Sequence, residues 1–288
     1  MFAGSHTELT SILETNTAPK PASPTLIERG NVLVDRVKRH GEEALYYLGG
    51  VADLATQTIQ QFIRGPVDRA VVIAQFDQIG VRSISIVAIT SLFIGMVLAL
   101  QTAYSLAEFG GALLIGKVVS LSLIRELAPV LMALMVGGRV GAGIAAELGT
   151  MKVTEQIDAL RALATNPVRK LVVPRVLATT IMMPLLTLLA CFIGIFGGLI
   201  IAVGSLHLSS NFYIRSVIET VKYNDLASGV GKTFFFGFTI GLIACYNGLS
   251  TSGGADGVGR STTATVVTAS ITVLILDFFL TKVFLFIF

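Results

Sequence analysis

Five long apolar stretches alternate with polar connections along this chain, at approximately 83–104, 118–148, 171–205, 233–249 and 262–286. Each predicts a helix able to cross a bilayer, for which about 20 apolar residues suffice. The second and third exceed that length, so they must tilt, kink or protrude, and Pro129, Pro174 and Pro184 mark the expected kinks. The fourth is the shortest. Ahead of the first span, Val51, Ala55, Ile59 and Phe62 share one face of a helix, and after Arg64-Gly65-Pro66 the stretch 67–79 predicts a second, less cleanly amphipathic one. Both read as helices lying along a membrane surface. The predicted fold class is an all-α integral membrane protein of about five transmembrane helices preceded by amphipathic interfacial helices. Its three regions are a disordered tail rich in Ser, Thr and Pro (1–25), the interfacial helices (26–82) and the membrane domain (83–288).

The polar block 147–170, between the second and third spans, also carries a helical pattern. Val153, Ile157, Leu160 and Ala164 recur at helical spacing, while Lys152, Glu155, Asp158 and Arg161 fall mostly elsewhere on the wheel. Acids precede bases along it, and Asn166-Pro167 is expected to end the run. A rigid amphipathic helix held just outside the bilayer is suited to passing force to or from a soluble partner. A helix resting on lipid headgroups would show the same pattern.

Lys and Arg orient the spans. Eight lie before residue 83, five in 149–175, and Arg260 joins them on that side; Lys117, Arg215, Lys222, Lys232 and Lys282 lie on the other. The amino terminus and the central polar helix are thus predicted to be cytoplasmic and the carboxyl terminus to face outward. Composition agrees with membrane residence: 53% of residues are hydrophobic and 14% charged, against about 25% charged in soluble domains. A net charge of +3 without a basic patch argues against nucleic acid. Cys191 and Cys245 lie inside apolar runs without metal-ligand spacing and read as packing residues.

Charges inside spans are costly, about 2.5–3.5 kcal/mol each on insertion scales, so they face protein or a wet cavity. Arg125, Glu126 and Arg139 fall in the second span and Asp277 in the last, with Thr281 and Lys282 poorly placed to neutralise it. Neighbours on a helix point about 100° apart, so Arg125 and Glu126 are each expected to find a partner on another helix. An interhelical ion pair and a substrate-related role both fit. The pairs Gly137/Gly141 and Gly194/Gly198 predict close helix packing.

Two apparent motifs fail. Gly229-Val230-Gly231-Lys232-Thr233 imitates the end of a phosphate-binding loop, but Leu226 holds the required first glycine position and a membrane span follows. Gly253-Gly254-Ala255-Asp256-Gly257 imitates one calcium-binding repeat, but such repeats work in arrays, so it reads as a flexible cytoplasmic turn. The three His are scattered and no nucleophile constellation is visible, so no enzyme activity is expected. An ion-coupled secondary transporter, with Arg125, Glu126 and Asp277 as a relay, is the alternative to a partner-driven one. The absence of an internal repeat speaks against it.

Several segments resemble the MlaE/YrbE permease family: Phe-Ile-Gly-Met-Val-Leu-Ala-Leu-Gln (93–101), Ile-Arg-Glu-Leu-Ala-Pro-Val (124–130), Gly-Arg-Val-Gly (138–141), Ala-Glu-Leu-Gly-Thr-Met-Lys-Val-Thr-Glu-Gln-Ile-Asp-Ala-Leu (146–160), Asn-Pro-Val-Arg (166–169), Gly-Val-Gly-Arg-Ser-Thr-Thr (257–263) and Leu-Asp-Phe-Phe-Leu-Thr (276–281). The likeness runs in order over about 66–286. It implies the permease domain of an ABC transporter moving phospholipid or a related hydrophobic compound across the envelope from the bacterial inner membrane. It further implies a homodimer working with a cytoplasmic ATPase that binds the ATP, so that no cofactor sits on this chain, and with an outer MCE-domain lipid-binding protein. By the same resemblance Glu155–Ala164 is the coupling helix, with Glu155, Gln156, Asp158, Leu160 and Arg161 meeting the ATPase. Leu98, Gln101, Tyr104, Arg125 and Glu126 surround a lipid cavity at the dimer axis, and Lys232 is a functional basic position. Arg125 and Lys232 would take the phosphate and Leu98 the tails.

Overall fold

A computed structural model describes residues 26–65, 68–106 and 111–287, so the expectation for 1–25 lies outside the described residues. Ten α-helices follow in order: α1 Leu26–Ile63, α2 Arg69–Ile79, α3 Ile84–Leu106, α4 Ile115–Ser122, α5 Ala128–Val153, α6 Gln156–Ala162, α7 Val173–Gly204, α8 Ser210–Thr220, α9 Tyr223–Leu249 and α10 Gly254–Ile287. No strand occurs among the described residues. Among the described residues five segments are long and apolar enough to span a membrane: Arg69–Leu106, Ile115–Val153, Val168–Gly204, Tyr223–Leu249 and Gly254–Phe286. The chain is an all-α membrane protein. Of the described residues, those from Leu26 to Gly49 form one unit, the first part of α1, and those from Gly50 onward form the other, the helical bundle.

The bundle has two apolar cores. The larger joins α5, α7 and α9 through Met132, Val136, Val176, Met183, Phe236 and Ile240, and the smaller joins α3, α4, α7 and α8 through Ala99, Ile115, Val119, Ala202 and Tyr213. Within the bundle, α1 buries Leu54 and Thr58 and half-buries Val51 and Ala55, while Ile59 and Phe62 stay exposed. Its packed face is therefore rotated from the face of 51, 55, 59 and 62 that the apolar pattern predicts. A surface that meets lipid is as apolar as one that meets protein, so the pattern alone cannot separate them.

Prolines shape the spans through a shared device. A π-helical turn, Leu123–Leu127, precedes Pro129, and a second, Val168–Val172, precedes Pro174. Proline lacks the N–H that the carbonyl four residues back needs. Both turns respond by passing bonds one residue further on: Ala128 N donates to Leu123 O and Val173 N to Val168 O. The chain thus stays helical through both sites, while Pro184 lies inside α7.

Three predicted boundaries shift. The fourth span begins at Tyr223, ten residues before the predicted start at 233, because Asp225 caps it and Lys232 is neutralised inside it. The last begins at Gly254: only Gly253 (φ +87°) and Gly254 (φ +67°) form the left-handed turn, and the rest of the predicted flexible stretch is helix. The block 147–170 is not one helix. α5 continues to Val153, Glu155 turns left-handed (φ 60°), and the seven residues of α6 end before Ala164 (φ 55°). Asn166-Pro167 starts the next helix instead of ending this one. The Asn166 carboxamide accepts from Val168 N (2.9 Å) and caps it, with Pro167 in the first turn, where no N–H is needed.

Close helix approach is clearest between α3 and α7. A Cβ at Gly95 would run into the Gly194 backbone carbonyl, so Gly194, predicted from its own small-residue pair, has its counterpart in Gly95. Gly95→Ala is expected to destabilise the purified protein by about 1–3 kcal/mol, as overpacking does. Gly143→Ala is the matched control, since its Cβ would meet no atom within 4 Å. Thermal unfolding in one detergent checks the pair.

Candidate functional site

One end of the bundle gathers the charges of three helical segments. The turn Leu123–Leu127 supplies Arg125 and Glu126, α9 supplies Asp225 and Lys232, and α10 supplies Asp277 and Thr281. Tight packing brings them together. A Cβ at Gly229 would strike the Ile124 carbonyl, so glycine there lets α9 lie directly on the turn. The glycine of the false phosphate loop thus serves helix contact, and its lysine is turned inward.

Lys232 is 1% exposed. Its ammonium donates to Glu126 Oε2 (2.8 Å), Asp277 Oδ1 (3.1 Å) and Thr281 Oγ1 (2.8 Å). An ammonium has three donors, so all are committed. Arg125 donates through Nε to Asp225 Oδ1 (2.7 Å), and Nη2 bonds the same oxygen. The other carboxylate oxygen of Asp225 accepts from Lys222 N (2.9 Å), closing the first turn of α9. Asp225 is buried, while the Arg125 side chain is 48% exposed and keeps guanidinium donors free of protein acceptors among the described residues.

Arg125, Glu126, Asp225, Lys232 and Thr281 border a cavity of about 690 Å³ that also meets Leu121, Lys222, Phe284 and Leu285. Apolar walls and a half-exposed guanidinium share one space, which suits an amphiphile. Of the sequence-predicted site residues, Arg125, Glu126 and Lys232 come together here. Leu98 packs on the smaller core, and Gln101 and Tyr104 are exposed; none of the three lines the cavity. Arg125 and Glu126 each find a partner on another helix, as their spacing predicts. Asp277 is neutralised from α9, not from its own helix. Asp225 escaped sequence reading, since its position at the start of a span reads as a loop acid. Lys222 three residues earlier, at cap spacing, is the signal that could have found it.

The opposite end of the bundle carries α6. From Arg125 to Val153 the helix rises about 40 Å at 1.5 Å per residue. Ile157 is fully buried and anchors α6, and Leu160 packs on the larger core. Lys152 (3.0 Å) and Arg161 (2.8 Å) both bond Asp158, whose carboxyl is held below the usual carboxylate range, first by the Lys152 hydrogen bond. Glu155, Gln156, Asp158 and Arg161 are exposed, as is Leu163 (76%), which the sequence reading did not select. Among the described residues no cluster of His, Cys, Asp and Glu is arranged to hold a metal.

The family model described as Permease MlaE matches residues 72–283. A probable ABC transporter permease protein of Rickettsia felis is 44% identical over 237 residues, covering 82% of this chain and 92% of that one. A probable ABC transporter permease protein of Synechocystis is 42% identical over 248 residues, covering 85% and 94%. The intermembrane phospholipid transport system permease protein MlaE of Haemophilus influenzae is 39% identical over 212 residues, covering 73% and 81%. A match of this length, across both the charge cluster and α6, makes the chain a member of the MlaE permease family, the membrane subunit of an ABC transporter.

Proposed function

We propose that this permease moves phospholipid, with a cytoplasmic ATPase acting on α6 and the charge-bordered cavity receiving the lipid at the outer end of the bundle. The observation that carries the reading is the separation of two specialised ends: a cavity with Arg125 facing it and, about 40 Å away, an exposed polar helix. The Lys and Arg distribution puts α6 and the amino terminus in the cytoplasm and the cavity toward the outer face of a bacterial inner membrane. ATP belongs to the partner, and no cofactor resides on this chain. A second copy completes the cavity, bringing Leu98, Gln101 and Tyr104 toward it, and an outer MCE-domain protein exchanges lipid with it. The phospholipid substrate is carried over from the Haemophilus relative's name.

Energetics favour an enclosed path. Two acyl chains with about 30 methylenes in all would cost roughly 24 kcal/mol to expose to water, at about 0.8 kcal/mol each. Within the cavity Arg125 and Lys232 divide their work. Lys232, with every donor committed, locks α9 and α10 to the turn, and Arg125 offers its remaining donors to the phosphate. Arg125→Ala alone would strand a buried Asp225, so the informative variant is Arg125→Ala with Asp225→Asn, whose carboxamide can still accept from Lys222 N. The double variant is expected to fold normally and to co-purify with at least tenfold less phospholipid, about 1.4 kcal/mol of lost headgroup binding. Mass spectrometry of the detergent-solubilised complex identifies both lipids and protein partners. Undiminished lipid in the double variant would remove Arg125 from the headgroup role.

A further inference from the structure

A second, smaller cavity of about 220 Å³ lies between α2 and α5, at the end of the bundle nearer α6, lined by Gln75, Gln78, Ile79, Arg139, Val140, Gly143 and Ile144. Three observations mark it as built to receive something. Arg139 lies in a span, yet its protein partner among the described residues is a hydroxyl: Nη1 donates to Ser83 Oγ (2.6 Å), and the Ser83 hydroxyl in turn donates to Ile79 O (2.6 Å). Arg125 and Lys232, in contrast, are each matched by an acid. Gln75 is 7% exposed, and its carboxamide has no hydrogen-bond partner among the described residues although it borders the cavity. Gly143 opens onto the same space, since a Cβ there would touch nothing within 4 Å.

Charge around the cavity is one-sided. No acid lines it, and the nearest carboxylate in sequence on α2, Asp77, is bonded to Arg82 (3.3 Å). Its depth is equally telling. Ser83 directly precedes α3, whose 23 residues rise about 35 Å, against a hydrocarbon layer of about 30 Å. Arg139 is bonded to Ser83, so it lies at the edge of the apolar layer, where phosphates of the adjoining leaflet sit. Ile79, Val140 and Ile144 continue the lining with apolar surface.

We infer that this cavity binds the phosphate of a lipid headgroup, with the Arg139 guanidinium as counter-charge, the Gln75 and Gln78 carboxamides as donors, and the first acyl carbons on Ile79, Val140 and Ile144. The site lies apart from the charge cluster, shares no residue with it and does not depend on its role in transport. An anionic oxygen there would satisfy Arg139 and Gln75 at once, each a group whose polar capacity the protein leaves open. Free phosphate offers the same chemistry without the apolar stem.

Native mass spectrometry of the intact complex released from nanodiscs tests this on wild type, Arg139→Gln, Arg139→Lys and Gly143→Leu. Gly143→Leu adds bulk at the cavity from a position where a Cβ meets nothing within 4 Å, so, with thermal unfolding measured beside it, it separates loss of the site from loss of fold. Wild type is expected to keep one more phospholipid per copy of this chain than Arg139→Gln or Gly143→Leu, and Arg139→Lys to retain part of it. Titrated phosphatidylglycerol should refill the wild-type site at least about tenfold more tightly than the Arg139→Gln site. Inorganic phosphate should not displace the lipid; displacement would assign the site to the free anion and overturn the lipid reading. Equal lipid retention in all four proteins would overturn the site itself.

Discussion

Lys232→Met is expected to destabilise this permease more than any other single change in the charge cluster. The substitution removes three hydrogen bonds and strands Glu126 and Asp277 beside each other in a site built around a cation. Breaking a buried ion pair from one side typically costs 3–5 kcal/mol. Glu126 is about half exposed and Asp277 about a fifth, so water softens the loss and a value of about 3 kcal/mol is expected. Adding Glu126→Gln and Asp277→Asn should recover most of the stability, because an apolar or neutral replacement of a whole ionic group is often nearly neutral. Thermal unfolding of the single and triple variants in the same detergent measures both. A single variant as stable as wild type would mean that Lys232 is not the lock described above.

The second large effect is expected at the other end, on partner binding and not on stability. Arg161 and Leu163 are 60% and 76% exposed on and beside α6, while Ile157 beneath them holds the helix in place. Arg161→Glu with Leu163→Glu leaves Ile157 and the Lys152–Asp158 bond intact. Exposed changes of this kind shift stability by about 0.5 kcal/mol or less. Central apolar and arginine contacts in an interface commonly carry 2 kcal/mol or more, so ATPase binding should weaken at least about 30-fold. Co-purification and a binding titration against the isolated ATPase report the loss, with the unfolding temperature as the control. Unaltered binding would move the docking surface away from this face.

Much of this architecture is written in the sequence because a bilayer imposes a simple rule: spanning segments must be long, apolar and helical. Five such segments are found where the apolar runs predict them. The errors share a cause. Hydropathy stops at a charge and so predicts starts at 233 and 262, but a charge with partners can sit well inside a helix, as Lys232 does. In the block 147–170 the periodicity of Val153, Ile157 and Leu160 is real, and so is the burial of Ile157, yet two left-handed residues break the run. Neither Glu155 nor Ala164 is a residue type that announces such a backbone. The expectation that Asn166-Pro167 ends the run fails because the same pair can open a helix, and here the Asn166 carboxamide accepts from Val168 N and caps the next one.

The candidate site was legible as a set of charges but not as a set of pairs. Intramembrane Arg125, Glu126 and Asp277 stand out from their apolar surroundings, and so each could be picked from the chain. Which acid meets which base depends on helix rotation and on Gly229 letting α9 reach the turn before Pro129. Leu98, Gln101 and Tyr104 came from family resemblance, and in a single copy they stand away from the cavity lining. The pairing of Lys232 with two acids and a hydroxyl commits its donors, whereas Arg125 is half exposed at the cavity.

The account as a whole rests on work arriving from a separate ATPase through α6. Lipid transfer between proteoliposomes, measured with a fluorescent phospholipid and with this chain reconstituted alone or with its ATPase and ATP, tests that directly. Transfer should require both ATPase and ATP, and the Arg161→Glu/Leu163→Glu protein should fail even when both are present. Equal transfer by the chain alone, or an α6 variant that transfers lipid at the wild-type rate, would contradict it.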